Sequence, residues 1–144
     1  MSGVLKDVAG LLKFIKGRKS FGRVIHKMQI LSVGNGKCSV ELKIEDEHVN
    51  TMGFLHTGLT STLMDCISGF ALMTKVPNTH VSTDMHISCL KPVLRGDTLL
   101  IDGWVQKSAK TLAFLEVEMR DKVSGEAVVR GIHTKYILDD LFLI

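Results

Sequence analysis

The pattern of hydrophobic and polar positions predicts one long helix near the middle of the chain. Between residues 59 and 74 nearly every side chain is apolar or small. Five of them recur at helical spacing: Leu59, Leu63, Cys66, Ile67 and Phe70. A helix that is apolar on nearly every side is buried rather than exposed. Asp65 is its only charged residue, and a carboxylate on a buried helix is costly unless it is hydrogen-bonded or has a chemical role.

Alternating apolar and polar positions predict strands on both sides of that helix. The predicted strands cover residues 23–33, 37–45, 80–90, 98–106, 111–120 and 126–138. Asn35 and Gly36 form the turn of a hairpin between the first two strands. The last four strands are joined by short connections and should be antiparallel neighbours. One helix cannot cover both faces of such a sheet, so we expect a strongly curved sheet with a leftover face or edge that invites a partner subunit.

The strand predicted over residues 80–90 has a regular alternation that assigns its side chains to two faces. One face has Val81, Thr83, Met85, Ile87 and Cys89, and the other has Ser82, Asp84, His86 and Ser88.

Residues 1–22 form a basic amphipathic segment that predicts an N-terminal helix. Its apolar face consists of Val4, Val8, Leu11, Leu12 and Ile15, and its basic residues are Lys6, Lys13, Lys16, Arg18 and Lys19. Mitochondrial presequences have the same character, but they are rich in Arg and Ser and poor in acidic residues. Asp7 and the preference for Lys over Arg therefore favour a helix of the mature domain. The expected compartment is the cytoplasm or the mitochondrion.

Composition narrows the class of protein. A chain of 144 residues predicts a single domain, 1–144, and no apolar run reaches the roughly 18 residues of a transmembrane helix. The net charge is +3 with scattered basic residues and few aromatic ones, which makes nucleic-acid binding a weak interpretation. Three widely spaced cysteines, Cys38, Cys66 and Cys89, form neither a disulfide framework nor a CxxC metal pair. We expect them to be small buried side chains in a reducing compartment.

Three stretches of the chain together resemble a known enzyme family. They read HVNTMGFLHTGLTSTLMD at 48–65, VSTDMHISCLKPVLRGD at 81–97 and KTLAFLEVEMRDKVSGEAVVRGIHTKY at 110–136. In combination they resemble the hotdog-fold acyl-CoA thioesterases, especially the animal thioesterase superfamily members related to bacterial phenylacetyl-CoA-type enzymes. The likeness covers essentially the whole chain. It implies an α+β hotdog fold, in which a curved six-stranded antiparallel sheet wraps around one long central helix and a short helix precedes it.

The same resemblance implies an assembly and a reaction. Subunits of the family pair side by side into one continuous sheet, and dimers pair into tetramers. The active site lies at the subunit interface, where water hydrolyses the thioester of acyl-CoA. No metal or other cofactor is expected, since coenzyme A is part of the substrate. We therefore predict hydrolysis of medium- to long-chain fatty acyl-CoA.

Four residues match the catalytic positions of the family. Asp65 is the carboxylate of the central helix and would act as the general base, while Ser82 would hold the same water. Asn50 would donate an amide N–H to the developing oxyanion. The family's His-Gly-Gly triplet reads His56-Thr57-Gly58 here, so the second oxyanion donor is the N–H of Thr57. The side chain of Thr57 is a departure that bears on acyl specificity and rate.

Two stretches and one isolated position match the coenzyme A channel of the family. The matching residues are Cys89, Leu90, Lys91, Pro92, Val93 and Leu94, then Lys107, Ser108, Ala109, Lys110, Thr111 and Leu112, and finally Tyr136. Tyr136 replaces the His of some relatives. His56, Gly58 and Thr83 complete the predicted substrate-binding set. Three lysines are the candidates to meet the phosphates of coenzyme A: Lys91, Lys107 and Lys110.

Simpler interpretations of the same residues remain open. Asp65 could be a structural carboxylate, Asn50 a turn residue, Ser82 an ordinary strand hydroxyl, and the lysines a solvated rim. His56 could be the acid or base of a hotdog enoyl-CoA hydratase. A non-catalytic acyl-CoA-binding or fatty-acid-binding regulator is the third possibility, and Thr57 in place of Gly favours it. The other histidines show no ligand spacing for a metal, and no GxSxG motif supports a Ser-His-Asp triad.

Overall fold

A computed structural model describes residues 4–17 and 19–141 of the chain. The helices are α1 (Val8–Lys16) and α2 (Thr57–Met73), with short 3₁₀ helices at Phe21–Ile25 and Asp46–His48. The strands are β1 (Gln29–Gly34), β2 (Lys37–Lys43), β3 (Asn78–Cys89), β4 (Thr98–Ser108), β5 (Leu112–Asp121) and β6 (Ala127–Leu141). Apart from the first strand and the N-terminal helix, the predicted ends differ from the observed ones by three residues or fewer.

The six strands form one antiparallel sheet in the order β1-β2-β4-β5-β6-β3. β1 and β3 are therefore its edges. Helix α2 packs against all six strands, which requires the sheet to curve around it. The predicted architecture, a curved six-stranded antiparallel sheet around one long helix, is confirmed.

Two glycines of the sheet let α2 lie close to it. A Cβ atom on Gly103 of β4 would stand 3.1 Å from Cγ2 of Ile67, and one on Gly131 of β6 would overlap the side chain of Met64. Ile67 and Met64 are fully buried there. Because interiors are close-packed, a side chain at either glycine would push the helix away from the sheet.

The N-terminal segment packs on the domain. Asp7 caps α1 by accepting a hydrogen bond from the N–H of Gly10 at 2.8 Å. Leu11 is fully buried, and the N–H of Leu5 donates to the carbonyl of Met73 at 2.8 Å. The helix is shorter than the predicted segment 1–22, of which residues 1–3 and Arg18 lie outside the described residues. In the described part of the chain, neither α-helix has the length and apolar character needed to cross a bilayer.

The strand predicted over residues 23–33 is wrong in its first half. Residues 21–25 form a 3₁₀ helix, and β1 begins only at Gln29. Ile25 and Met28 are both buried in the main core. In an extended strand, two residues three apart would face opposite sides, whereas a helical turn brings both onto one face. Burial of this pair beside α2 therefore overrides the alternation of the sequence.

A bulge in β3 changes which residues share a face. Ser82 pairs with Lys135 and Asp84 pairs with Thr134, so the register shifts at Thr83. Ser82 consequently lies on the inner face together with Met85, which pairs with the buried His133. The two faces predicted for residues 81–89 are therefore wrong around the bulge, because one extra residue inverts the alternation.

Candidate active site

Asp65 and Ser82 meet at the edge of the sheet. The carboxylate Oδ1 of Asp65, on α2, lies 3.4 Å from Oγ of Ser82, on β3. The bulge at Thr83 is what turns Ser82 towards the helix. The side chain of Asp65 is 48% exposed, so the expected burial of this carboxylate is wrong for a single chain. Because Ser82 lies on an edge strand, Asp65 is at the margin of the sheet.

Behind this pair lie two residues that the sequence analysis did not single out. His133 of β6 is buried, with Nε2 2.8 Å from Oγ of Ser82 and 3.9 Å from Oδ1 of Asp65. Its Nδ1 lies 2.8 Å from Oγ of the buried Ser68 on α2. Asp65, Ser82, His133 and Ser68 thus form one continuous polar chain from the exposed edge into the core.

Burial shifts the pKa values of the titratable side chains on this inner face of the sheet. It lowers the pKa of His133 to about 4, aided by the nearby charge of Lys135 and opposed by Asp65 and Asp84. It likewise lowers the pKa of His80 to about 3. Lys135 is only 6% exposed, and burial lowers the pKa of its ammonium group. Both histidines are therefore neutral at pH 7, and His133 can act there as a hydrogen-bond donor and acceptor.

The predicted oxyanion donors lie at the start of α2 and in the turn before it. Oδ1 of Asn50 accepts hydrogen bonds from the N–H groups of Met52 and Phe54 at 3.0 and 3.1 Å. Asn50 is thus a turn residue, and its exposed amide NH₂ group remains available as a donor. Thr57 is the first residue of α2, and in the described part of the chain no acceptor is bonded to its N–H.

His56 is the N-cap of α2. Its Nδ1 accepts a hydrogen bond from the N–H of Gly58 at 2.9 Å. A Cβ atom at residue 58 would come within 2.9 Å of this ring nitrogen, so glycine makes the cap possible. The last two residues of the predicted triplet, Thr57 and Gly58, are the first two of the helix.

The first stretch predicted to line the coenzyme A channel lies beside these predicted donors. A cavity of about 260 Å³ is bordered by Asn50 and Thr57 together with Cys89, Leu90, Lys91, Pro92 and Val93. Leu94 follows at the bridge with Phe54. Lys91 forms an ion pair with Glu126, so its ammonium group already has an anionic partner.

The second stretch predicted to line the coenzyme A channel, residues 107–112, lies at the opposite end of the sheet. Leu112 pairs with Tyr136 on β6, whereas Cys89 pairs with Val129. These two positions of β6 are seven residues apart, which is about 23 Å along a strand. The two stretches that the resemblance joins in one channel are therefore not brought together within one chain.

Asp65 borders a different cavity from Asn50 and Thr57. That cavity measures about 350 Å³ and lies between α2 and the N-terminal segment. Its lining is mostly apolar and consists of Phe14, Ile15, Ser20, Phe21, Gly22, Ile25, Thr62, Asp65, Cys66 and Phe70. The carboxylate thus stands at the margin of an apolar groove.

The cysteines differ from one another. Burial raises the pKa of the Cys38 thiol to about 12 and that of the Cys66 thiol to about 11, and nearby carboxylates add to both shifts. Cys38 is buried as expected, but Cys66 is only partly buried and Cys89 is exposed on the edge strand, so for those two the expectation is wrong. No group of three or more His, Cys, Asp or Glu residues among those described is arranged to hold a metal ion.

Comparison with known proteins shows to which family the chain belongs. A sequence model of the thioesterase superfamily matches residues 52–128, more than half of the chain. The chain belongs to the thioesterase superfamily. Human acyl-coenzyme A thioesterase 13 is 37% identical over 138 residues, which cover 95% of this chain and 99% of the human protein. Membership in the superfamily confirms the predicted enzyme class, a thioester hydrolase.

Two solved structures relate this thioesterase to known folds. Zebrafish thioesterase superfamily member 2 superposes with a TM-score of 0.84 at 36% identity, covering 89% of this chain and 94% of the zebrafish chain. A Streptococcus mutans protein bound to acetyl-CoA superposes with a TM-score of 0.77 at 25% identity, covering 88% and 98% of the two chains. The predicted hotdog fold is confirmed.

Proposed function

We propose that this thioesterase hydrolyses medium- to long-chain fatty acyl-CoA to free fatty acid and coenzyme A, at a site shared by two subunits. The observation that carries the proposal is the half-exposed carboxylate of Asp65, 3.4 Å from Oγ of Ser82 and at the margin of an apolar cavity. The relative named acyl-coenzyme A thioesterase 13 and the neighbour bound to acetyl-CoA support the substrate class.

The chemistry follows from these groups. A water held between Asp65 and Ser82 gives a proton to the carboxylate as its oxygen attacks the carbonyl carbon of the thioester. The negative charge that develops on the carbonyl oxygen is met by the N–H of Thr57 and the amide of Asn50. Collapse of the tetrahedral intermediate breaks the C–S bond, and the departing coenzyme A thiolate takes up the proton that Asp65 had accepted, which restores the base. The new carboxylic acid releases its own proton to solvent. The fatty acid leaves as its carboxylate.

A shared site is supported by the distance between the base and the oxyanion donors. Thr57 and Asp65 are eight residues apart on α2, which separates their Cα atoms by about 12 Å along the helix axis. The base must contact the attacking water, and the donors must contact the carbonyl oxygen, at about 3 Å each. Within one chain these groups also border separate cavities. A second subunit is therefore the simplest source of the missing half.

The edge strand β3 is the surface that we propose for this pairing. It is a 12-residue edge, and two copies joined antiparallel along it would extend the sheet. Antiparallel pairing sets the C-terminal end of one β3 beside the N-terminal end of the other. Asn50, Thr57 and residues 89–94 of one subunit would then approach Asp65, Tyr136 and residues 107–112 of its partner.

The apolar cavity supports a fatty acyl group. Its volume of about 350 Å³ falls in the range of ligand sites, about 300–1,000 Å³. The aromatic rings of Phe14, Phe21 and Phe70 contribute to its wall. An acyl chain that leaves Asp65 along this groove would be covered by α1 and the 3₁₀ helix at Phe21–Ile25.

We further propose that the dimers pair into tetramers and that the enzyme acts in the cytoplasm or mitochondrion. The outer face of the sheet exposes three large apolar side chains, Phe114, Ile132 and Tyr136, by 42%, 54% and 46%. Their exposure supports a second contact between subunits.

One alternative function has an observation in its favour. Thr57 sets a β-branched side chain where the family has glycine, beside the oxyanion donor, which would suit a non-catalytic acyl-CoA-binding regulator. Tight binding of acyl-CoA without release of coenzyme A over hours would establish that alternative. A hydratase that uses His56 is less well supported, because its ring nitrogen Nδ1 is engaged in capping α2.

The deciding experiment compares wild type with Asp65→Asn on acyl-CoA substrates from acetyl to palmitoyl, with release of coenzyme A as the readout. We expect wild-type activity to peak at medium or long chains, and the variant to lose about 10²–10⁴ in kcat because the general base is gone. Asp139→Asn, at an exposed position of β6, is the matched control. Near wild-type turnover by Asp65→Asn would overturn the mechanism.

A further inference from the structure

We propose that Ser68 and His133 are positioning residues that make Ser82 accept, rather than donate, the hydrogen bond that holds the attacking water. The inference rests on the proposed function, because it specifies how that water is oriented. It follows from the direction of each hydrogen bond along the buried chain, starting at its innermost member.

The first step concerns Ser68. Its Oγ lies 2.7 Å from the carbonyl oxygen of Met64 and 3.3 Å from that of Asp65, both within its own helix. A carbonyl only accepts, and a serine hydroxyl has one proton; we infer that this proton points at the carbonyl of Met64, the nearest of the three neighbours. The lone pairs of Ser68 Oγ are left for the third neighbour, Nδ1 of His133 at 2.8 Å. With the serine proton in that direction, Nδ1 is the donor and carries a proton.

The second step concerns the other nitrogen of His133. Burial lowers the pKa of this imidazole to about 4, so only one of its nitrogens is protonated at pH 7. With the proton on Nδ1, Nε2 is an acceptor. The group 2.8 Å from Nε2 is Oγ of Ser82, whose hydroxyl must then donate to it.

The third step concerns the gap between Ser82 and Asp65. The hydroxyl of Ser82 cannot serve both His133 and Asp65, and the 2.8 Å contact is far better than the 3.4 Å one. Ser82 Oγ and Asp65 Oδ1 thus both present lone pairs to the space beside them. A water in that space donates one hydrogen to each, which turns its own lone pair outward, towards an incoming thioester carbon.

The charged surroundings maintain this arrangement. Lys135 and His80 lie near the ring, and the charges of Asp65 and Asp84 also act on it. Lys135 disfavours a second proton on His133, while the two carboxylates favour one. Protonation of Nε2 would reverse the contact with Ser82 and let Ser82 donate to Asp65, so we expect kcat to fall as the pH approaches 4.

The first test reads the imidazole directly. Long-range ¹H–¹⁵N spectra of the ¹⁵N-labelled protein at pH 7 distinguish a proton on Nδ1 from one on Nε2, with His133→Gln identifying the signal. We expect the Nδ1–H form in wild type and a loss of that preference in Ser68→Ala. An Nε2–H form of His133 in wild type would overturn the inference. This readout needs no catalytic activity, so it stands even if the proposed function fails.

The second test is a double-mutant cycle on kcat and KM. We expect Ser68→Ala to lower kcat by up to about 10²-fold through misplacement of the water, with KM changed less than about twofold. If Ser68 acts through Ser82, then Ser68→Ala/Ser82→Ala should be no slower than Ser82→Ala alone. Independent, additive losses, or a Ser68→Ala variant as fast as wild type, would contradict the proposal. Ser39→Ala, which removes a hydroxyl bonded to Asp102 on distant strands, is the control.

Discussion

At the scale of single residues, Thr57 is a position where the proposed functional group belongs to the backbone rather than to the side chain. Its N–H is the first of the helix, where no intrahelical acceptor exists. A threonine can therefore replace the family's glycine without loss of the donor, although its methyl and hydroxyl groups narrow the approach to it. The role of the backbone N–H can be tested with a residue that lacks this donor and still fits the first turn of the helix.

Thr57→Pro is that test. Proline is favoured at the first helical position, and the preceding residue, His56, has ψ 128°, which proline requires. We expect the variant to fold and to bind acyl-CoA, while kcat falls by about 10²–10³ because one oxyanion donor is lost. Thr57→Ala keeps the N–H and should stay within a few-fold of wild type. Equal rates for the proline and alanine variants would exclude the Thr57 N–H as a donor.

The buried histidines predict a dependence of stability on pH. The folded pKa values, about 4 for His133 and about 3 for His80, lie below the unfolded value of about 6.5. Below pH 6.5 the unfolded chain therefore binds protons that the folded chain does not, and stability falls as the pH decreases. At pH 5 each histidine should cost roughly 2 kcal/mol relative to pH 7.5.

Urea unfolding at pH 5 and pH 7.5, at one protein concentration, measures this loss. His133→Gln should reduce the difference between the two pH values, whereas His86→Gln, at an exposed position of β3, should leave it unchanged. A wild-type stability that is the same at both pH values would show that neither histidine is kept neutral by the fold.

At the scale of elements, α2 and five of the six strands could be predicted from hydrophobic periodicity, because that periodicity and the burial of each element agree. The sequence pattern and the structure disagree where tertiary packing determines the local backbone conformation. Ile25 and Met28 form a helical turn because both must reach the core beside α2. The bulge at Thr83 leaves no mark in composition, yet it decides which way Ser82 points.

The candidate site, too, could be predicted from the sequence only in part. Asp65 stands out as the one charge on an apolar helix, but the chain Ser68–His133–Ser82 is made of residues remote in sequence. That His133 faces the core could have been inferred from the alternation along β6, which puts it on the same face as Val129 and Ile137. Its partner could not be inferred, because a distance between a helix and a strand depends on how the sheet curves.

The apolar cavity under α1 makes a prediction at the same scale. Ile15 lines it from α1, so Ile15→Trp should fill part of its volume. We expect kcat/KM for palmitoyl-CoA to fall by about tenfold or more, with little change for short acyl chains, because only a long chain reaches the added ring. Leu12→Trp, on the exposed side of the same helix, is the control. A parallel loss for all chain lengths would indicate disturbed folding rather than a shortened acyl site.

At the scale of the whole molecule, the separation of Asp65 from Thr57 predicts that two inactive variants can repair each other. In a mixed dimer of Asp65→Asn and Thr57→Pro subunits, one of the two shared sites receives both defects and the other receives none. Equal co-expression makes half of the dimers mixed, so about one quarter of all sites should be intact. Each variant expressed alone supplies the background rate. If the base and the oxyanion donor instead came from one chain, every site in the mixture would keep a defect, and the co-expressed protein would be as inactive as either variant alone.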